Sequence, residues 1–484
     1  MINAKMIYKI MGFLLFIEAA MILCCVGITL IYKESDTDDF LITAGITTLV
    51  GIILTFMGRN AEKGLSRRDG YIIVSSAWVL FSLFGMLPFY ISGYIPNITD
   101  AFFETMSGFT TTGATILDDI ESLPHGLLFW RSLTQWIGGL GIVFFTIAVL
   151  PIFGVGGVQL FAAEATGVKH DKVHPRIGVT AKWIWSIYLG LTLTETVLLM
   201  LGGMDWFDGI CHSMTTTATG GYSTKQNSIA FYHSAYIEYI VAIFMFLSGV
   251  NFTLLFLLFM KGKIKRFFND AELKWYASSV FILTAITTIG LILSSPMDTE
   301  ESFRKALFQV ISLHTTTGFA SADYMTWIPF LWTLMGFTMF FGGCAGSTAG
   351  AIKSIRMVIL AKTARNEFKH ILHPNAVLPV RINKQVVSSP IRSTVLAFTF
   401  IYIALIAIGW LIMMALGIGF SESFSIVVSS IGNVGPGLGL CGPAYSWSGL
   451  PDIAKWILSF LMLIGRLELF SVLLLFTPAF WRKR

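Results

Sequence analysis

A short polar string, Thr110-Thr111-Thr112-Gly113-Ala114-Thr115, interrupts apolar sequence and then returns three times. The second copy is Thr215-Thr216-Thr217-Ala218-Thr219-Gly220-Gly221-Tyr222, and the third is His314-Thr315-Thr316-Thr317-Gly318-Phe319. The fourth and most divergent is Asn433-Val434-Gly435-Pro436-Gly437. With Gly113, Gly220, Gly318 and Gly435 as reference positions, the copies stand 107, 98 and 117 residues apart. A period near one hundred residues divides the chain into four similar units. Any fold must therefore place four polar loops inside an apolar body.

That body belongs in a bilayer. The 484 residues are 55% hydrophobic and only 13% charged, whereas a soluble domain carries about 25% charged residues. Apolar runs of roughly 20 residues recur throughout, the length that spans hydrocarbon as a helix. The net charge of +5 sits in loops between spans, so nucleic acid is not an expected partner. Cys24, Cys25, Cys211, Cys344 and Cys441 form no C-x-x-C pair and read as packing residues. The N-terminal apolar run resembles a signal peptide, but it carries Glu18 and continues to Tyr32, so it reads as a membrane helix.

Residues 7–32 and 40–58 read as two helices joined by an acidic turn, Glu34 to Asp39. From there a module repeats: a helix, a half-helix, a Thr-Gly loop and a second helix. The half-helices fall near 100–111, 206–217, 301–316 and 421–433, and the second helices at 127–153, 233–260, 326 onward and 452–480. Half-helices of this kind are too short to cross a core of roughly 30 Å at 1.5 Å per residue, so they enter and return. Re-entrant backbone is tolerated only where protein or a water-filled cavity satisfies it. The expected fold is an all-α polytopic membrane protein, with two N-terminal helices (1–70) and four helix–pore-loop–helix repeats (71–160, 161–262, 263–385 and 386–484).

With the N-terminus cytoplasmic, the predicted inside segments hold 26 of the 33 Lys and Arg residues. The positive-inside rule then places both termini in the cytoplasm and all four loops on the outer side.

A cation crossing lipid must exchange its hydration shell for other oxygens, and a ring of backbone carbonyls supplies them. Glycine lets the backbone turn its carbonyls inward. Threonine adds hydroxyls and a stiff wall, and the preceding half-helix presents its partly negative C-terminal end. The candidate coordinating residues are Thr111, Thr112 and Gly113; Ala218, Thr219 and Gly220; Thr316, Thr317 and Gly318; and Asn433, Val434 and Gly435. Neutral oxygen sites argue against transition metals and tight calcium binding.

These loops, together with Gly342-Gly343-Cys344-Ala345-Gly346-Ser347-Thr348-Ala349-Gly350 and Gly465-Arg466-Leu467-Glu468, resemble the Trk/Ktr/HKT potassium transporter superfamily over essentially the whole chain, most closely its TrkH membrane subunits. The resemblance implies a pseudo-fourfold pore from one polypeptide, assembled as a homodimer in the bacterial inner membrane. It implies K+ as the transported ion and no organic cofactor. Serine at the first filter glycine accompanies sodium transport in that superfamily, so Gly113 implies potassium selectivity. Val434 and Pro436 depart from the pattern and imply a less symmetric filter.

Gly342, Gly343, Gly346 and Gly350, with Ser347 and Thr348, cluster inside one span. Glycine costs about 1 kcal/mol per residue in a helix interior, so this span is expected to be broken. The alternative is a small-residue packing face. The resemblance makes the segment an intramembrane loop that obstructs the pore. Arg466 lies inside the last span, where a charge needs a cavity or a partner. It is expected either to hold that loop or to pair with Glu104 or Glu195. Arg131 reads as a snorkelling side chain, and Lys353 and Arg356 read as positive-inside anchors. Glu104 serves equally as a cation attractor at the outer mouth or as an acceptor for backbone donors.

The basic stretch 353–392 fits two partners equally. By resemblance it is a docking surface for a cytosolic nucleotide-binding subunit of TrkA type, and by charge it is a face for anionic membrane lipid. No enzyme is expected. There is no H-E-x-x-H string, and His212 and His314 have no metal-ligand partners in sequence. Gly154-Val155-Gly156-Gly157 follows a membrane helix rather than a strand. The rival to a channel is a proton- or sodium-coupled potassium carrier using Glu18, Glu104, Glu195 or Glu468.

Overall fold

The computed structural model describes residues 2–61, 64–141, 177–383 and 385–482. The Gly154–Gly157 string and the far end of the helix expected over 127–153 lie outside the described residues. The fold is all-α. The one sheet among the described residues is a hairpin of Arg381–Ile382 against Gln385–Val386. Six described helices are long and apolar enough to cross a membrane. Their apolar side chains point outward as well as inward, and Phe281, Leu293 and Phe400 are each more than 70% exposed. Lipid accepts such side chains; water would not.

The N-terminal helices, Ala4–Tyr32 and Thr37–Met57, form an antiparallel hairpin closed by the acidic turn. Side chains added at Gly12 and Gly51 would strike the partner helix, so these glycines permit close approach. The hairpin leans on repeat 1, where Glu34 accepts from the backbone N–H of His125 at 3.0 Å.

Each repeat contributes a short helix: Ile98–Phe109, Trp206–Thr217, Thr299–His314 and Phe420–Gly432, of 12, 12, 16 and 13 residues. Three begin on an Asx cap. Asn97, Asp205 and Asp298 accept from the backbone N–H groups of Thr99, Asp208 and Glu301, satisfying donors orphaned at the helix start. Part-buried ion pairs staple neighbouring repeats. Lys455 of repeat 4 meets Asp100 of repeat 1, and Arg304 of repeat 3 meets Glu238 of repeat 2 at 2.8 Å.

The second helices differ from expectation. In repeat 2 the run expected as one helix is two, Ala235–Ser248 and Phe252–Phe259, bent by 106°. Asn251 restarts it by accepting from Thr253 N–H at 2.7 Å. In repeat 4, Asp452–Arg466 and the short run Phe470–Phe476 meet at 110°, with Glu468 and Leu469 at positive φ between them. Only Ser248, Gly249 and Asn251 mark the first break and Arg466 and Glu468 the second, and the flanking sequence is apolar enough for a window average to pass over both. The break expected in repeat 3 is present: helix Pro329–Thr338 gives way to extended and turning backbone before helix Ser354–Leu372.

Candidate ion-coordination site

All four short helices end in the same way. Thr111, Thr219, Thr316 and Asn433 each take a left-handed conformation, with φ of 53°, 54°, 57° and 53°. The next residue then donates its N–H back five positions: Thr112 to Ser107, Gly220 to Thr215, Thr317 to Ser312 and Val434 to Ser429, at 2.8–2.9 Å. This is the Schellman helix stop, which ordinarily uses glycine. Threonine is strained there because it is β-branched, whereas asparagine tolerates the conformation. The fourth loop thus keeps the geometry while losing the threonine.

Two residues beyond each left-handed position stands a glycine at positive φ: Gly113, Gly221, Gly318 and Gly435. The register of the second loop therefore shifts by one from the sequence expectation. Gly221, not Gly220, matches the other three, and Ala218 remains the helix cap before the loop. Adjacent glycines offer two registers to a reader of the sequence, and the helix stop at Thr219 selects between them.

These glycines close a ring. A side chain at Gly113 would overlap the carbonyl oxygen of Gly220, one at Gly221 that of Thr317, one at Gly318 that of Val434, and one at Gly435 that of Thr112. Each loop meets the residue before the next loop's glycine, and four such steps return to the start. The glycines surround a common axis at van der Waals contact, with no room for a Cβ. A cavity of about 70 Å³ adjoins the ring, lined by the four glycines together with Arg131 and Lys225.

Both of these cations are paired. Arg131 is 2% exposed, and its Nε donates to Glu104 at 2.9 Å. It also donates to the Ser223 carbonyl at 3.1 Å and stacks 4.2 Å from the Tyr222 ring. It does not snorkel; it braces loops 1 and 2 from behind. Glu104 additionally accepts from Thr115 and from the N–H of Ile116, both at 3.0 Å. Its carboxylate is fully engaged, which matches the acceptor role and not a free anion at the mouth. Lys225 lies 3.4 Å from Asp208.

The broken segment of repeat 3 packs against the other side of the ring. Gly350 N–H donates to Thr316 Oγ1 at 2.7 Å, and Ala351 N–H to the Gly432 carbonyl at 2.8 Å. Thr348 Oγ1 donates to the Thr217 carbonyl at 3.1 Å, and Cys344 N–H to that of Gly249 at 2.7 Å. Gly342 is fixed by Ser354 Oγ on its carbonyl at 2.7 Å. Gly343 has no space for a side chain against Gly249, and Gly346 turns at φ 78° beside Asn251. Ser347 Oγ turns back onto the Cys344 carbonyl at 2.6 Å. The segment thus touches three of the four short-helix ends.

Cations hold its carbonyls. Arg466 donates to Thr348 O at 2.8 Å and to the carbonyls of Gly138 and Gly139 in repeat 1. Lys353 Nζ donates to Ala349 O at 2.6 Å and Ser347 O at 3.2 Å. Three successive carbonyls, 347 to 349, therefore each meet a cation. Lys353 is an internal clamp rather than the surface anchor its position after the broken span suggests. Arg356 pairs with Glu468 and lies 3.9 Å from the Phe398 ring, so it too is no simple anchor. Glu104 is occupied by Arg131, and Arg466 donates instead to the carbonyls of Thr348, Gly138 and Gly139. Sequence reasoning passed over Gln135 and did not foresee the roles of Lys353 and Tyr222. The signal for Lys353 was its placement three residues after Gly350.

A profile of the TrkH family, described as cation transport protein, matches residues 37–483. The chain belongs to this family. The Trk system potassium uptake protein TrkH of Halomonas elongata is 39% identical over 483 residues, covering 99% of this chain and 100% of that one. The protein of the same name from Escherichia coli K12 is 39% identical over 486 residues, covering 99% of each. The crystal structure of the potassium transporter TrkH from Vibrio parahaemolyticus superposes with a TM-score of 0.89 at 36% identity, covering 99% of both chains. Membership in this family makes the chain a multi-pass membrane transport protein, not an enzyme.

Proposed function

We propose that this protein takes up potassium across the bacterial inner membrane, passing the ion through the ring formed by its four Thr-Gly loops. The observation that carries this reading is the closed cycle of glycine–carbonyl contacts. It sets Thr112, Gly220, Thr317 and Val434 carbonyls around one axis, as replacement of a hydration shell requires. The residues on either side, Thr111, Thr219, Thr316 and Asn433 with Gly113, Gly221, Gly318 and Gly435, complete four equivalent oxygen-bearing strands. The relatives named as Trk potassium uptake proteins support potassium as the ion. Each of the four short helices ends at its own strand of the ring, and the partly negative carbonyl ends favour a cation.

In this reading the Gly342–Gly350 segment is the gate. It blocks the path beneath the ring and is held shut by Arg466, with Gly342, Gly343, Gly346, Ser347, Thr348 and Gly350 forming its backbone. Opening requires Thr348 O to leave Arg466. The positive-inside distribution supports cytoplasmic termini and an outward-facing ring. The protein works as a homodimer with one pore in each copy and needs no organic cofactor. A cytosolic nucleotide-binding subunit of TrkA type, docked near residues 353–392, regulates it, while membrane lipid flanks the basic residues there.

The test is ion flux into liposomes with potassium, rubidium and sodium, comparing wild type with Gly113→Ser. Wild type is expected to prefer potassium and rubidium, and Gly113→Ser to raise relative sodium flux. Equal flux ratios in the two proteins would remove the ring from selectivity. A coupled carrier draws support from Glu18, fully buried with neither oxygen hydrogen-bonded among the described residues. A reversal potential that shifts with pH, and stops shifting in Glu18→Gln, would favour that reading.

A further inference from the structure

The four ring carbonyls are not treated alike. Gln135, on the second helix of repeat 1 (His125–Gly139), is fully buried. Its Nε2 donates to the Gly220 carbonyl at 2.7 Å, and its Oε1 accepts from Tyr222 N–H at 3.0 Å. The amide therefore spans the Gly220-Gly221-Tyr222 backbone like a bracket, fixing both sides of the glycine that belongs to the ring. Gly220 itself has no room for a side chain, because a Cβ would run into the Gln135 amide. Among the described residues, the carbonyls of Thr112, Thr317 and Val434 receive no side-chain donor of this kind.

The internal repeats supply a comparison. Gly138 packs on the Phe109 carbonyl and Gly465 on the Ile431 carbonyl, and Phe109 and Ile431 each stand two residues before the left-handed position of their loop. Gly138 and Gly465 are thus counterparts. Three residues ahead of Gly465 stands Met462, so the chain places methionine in repeat 4 where it places glutamine in repeat 1.

We infer that Gln135 is a specificity-determining residue that acts on the ion through the Gly220 carbonyl, an inference that rests on the carbonyl ring being the filter. A carbonyl oxygen has two acceptor positions. Gln135 occupies one, leaves one for the ion, and fixes the direction in which that one points. A carbonyl tied from behind cannot swing inward to meet a smaller ion. Its hydrogen-bond donor also withdraws electron density from the oxygen, lowering the field that favours small cations. Both effects act against sodium. Loop 2 is then the stiff wall of the ring.

The experiment measures bi-ionic reversal potentials for potassium against sodium in planar bilayers, with wild type, Gln135→Met, Gln135→Glu and Gly113→Ser. Gln135→Met copies the repeat 4 residue and removes both hydrogen bonds. Gln135→Glu keeps the oxygen that accepts from Tyr222 and replaces only the donor. Both are expected to lower the potassium-to-sodium permeability ratio by about threefold or more, the order expected for one lost neutral hydrogen bond. Should Gln135→Met fail to insert, Gln135→Glu decides alone. A shifted ratio in Gly113→Ser beside wild-type ratios in the Gln135 variants overturns this inference and leaves the filter standing. Wild-type ratios in all three variants overturn both.

Discussion

Arg466 Nη1 and the carbonyl oxygen of Thr348 lie 2.8 Å apart, joining the last helix of the chain to the broken segment of repeat 3. The same guanidinium also reaches Gly138 and Gly139 of repeat 1. One side chain thereby ties three of the four repeats at the level of the broken segment. Arginine suits this because its planar fork offers five donors and stays charged in low dielectric.

Arg466→Ala is expected to free Thr348 and raise open probability in single-channel recordings. Arg466→Lys should fall between, since an ammonium cannot reproduce the fork. Unchanged open probability and conductance in the alanine variant would separate Arg466 from gating.

Lys353 supplies the neighbouring contacts, on Ala349 at 2.6 Å and Ser347 at 3.2 Å. Lys353→Met should likewise increase flux. Because Lys353 and Arg466 hold adjoining carbonyls of one short segment, their effects should be non-additive, with the double variant little more active than either single one. Strict additivity of the logarithms of flux would mean that the two cations act on separate elements.

Glu104 and Arg131 form an ion pair with side chains at most 2% exposed. Removing one partner leaves an unpaired buried charge, which costs on the order of 3–5 kcal/mol. Arg131→Met is expected to lower the thermal stability of the detergent-solubilised protein severely. Adding Glu104→Gln should restore part of the loss. If the double variant melts lower than the single one, the residual carboxylate charge is not the source of the damage.

Thr111 occupies a left-handed position at φ 53° that its counterpart in repeat 4 fills with Asn433. A residue in such a region stores on the order of 1–3 kcal/mol. Thr111→Asn should relieve part of this and raise the melting temperature. A lower melting temperature would show that the threonine side chain contributes more than its backbone costs.

Asp36 caps the turn between the two N-terminal helices and is 4% exposed. Burial, followed by the nearby Glu34 carboxylate, pushes its carboxyl up to about 6, and Asp39 adds to this; its own backbone N–H and His125 oppose the rise. The folded state then binds a proton that the unfolded chain, near 3.9, has already released. Stability from this group is present below about pH 4 and is lost as pH rises through about 6. Asp36→Asn should flatten that segment of the stability profile, measured by thermal melts between those values. A profile identical to wild type would assign the dependence elsewhere.

Much of this architecture is legible in the sequence. The four loops stand out because Thr-Gly strings are rare inside apolar runs, and the short helices before them are bounded by Asn97, Asp205 and Asp298. The break at Gly342–Gly350 announces itself through clustered glycine. What stays hidden is of two kinds. The bends near Gly249 and Glu468 are marked by only a few polar residues, Ser248 and Asn251 in the first and Arg466 and Glu468 in the second, and hydropathy carries no signal for direction. The partners of Arg131, Lys353 and Gln135 lie far along the chain: Gln135 is 85 residues from Gly220, and no local pattern links them. The doubled glycine at 220 and 221 allows two registers; the sequence reading takes Gly220, and the helix stop at Thr219 selects Gly221.

The ring closes within a single polypeptide, and this bears on inheritance. Where four separate chains share one conduit, a cell making normal and faulty versions together builds mostly mixed, impaired assemblies. Here every translated copy brings its own complete circle, so a faulty version cannot contaminate the ring of a sound one, and, on the proposed reading of the ring, loss-of-function alleles in it should behave as recessive.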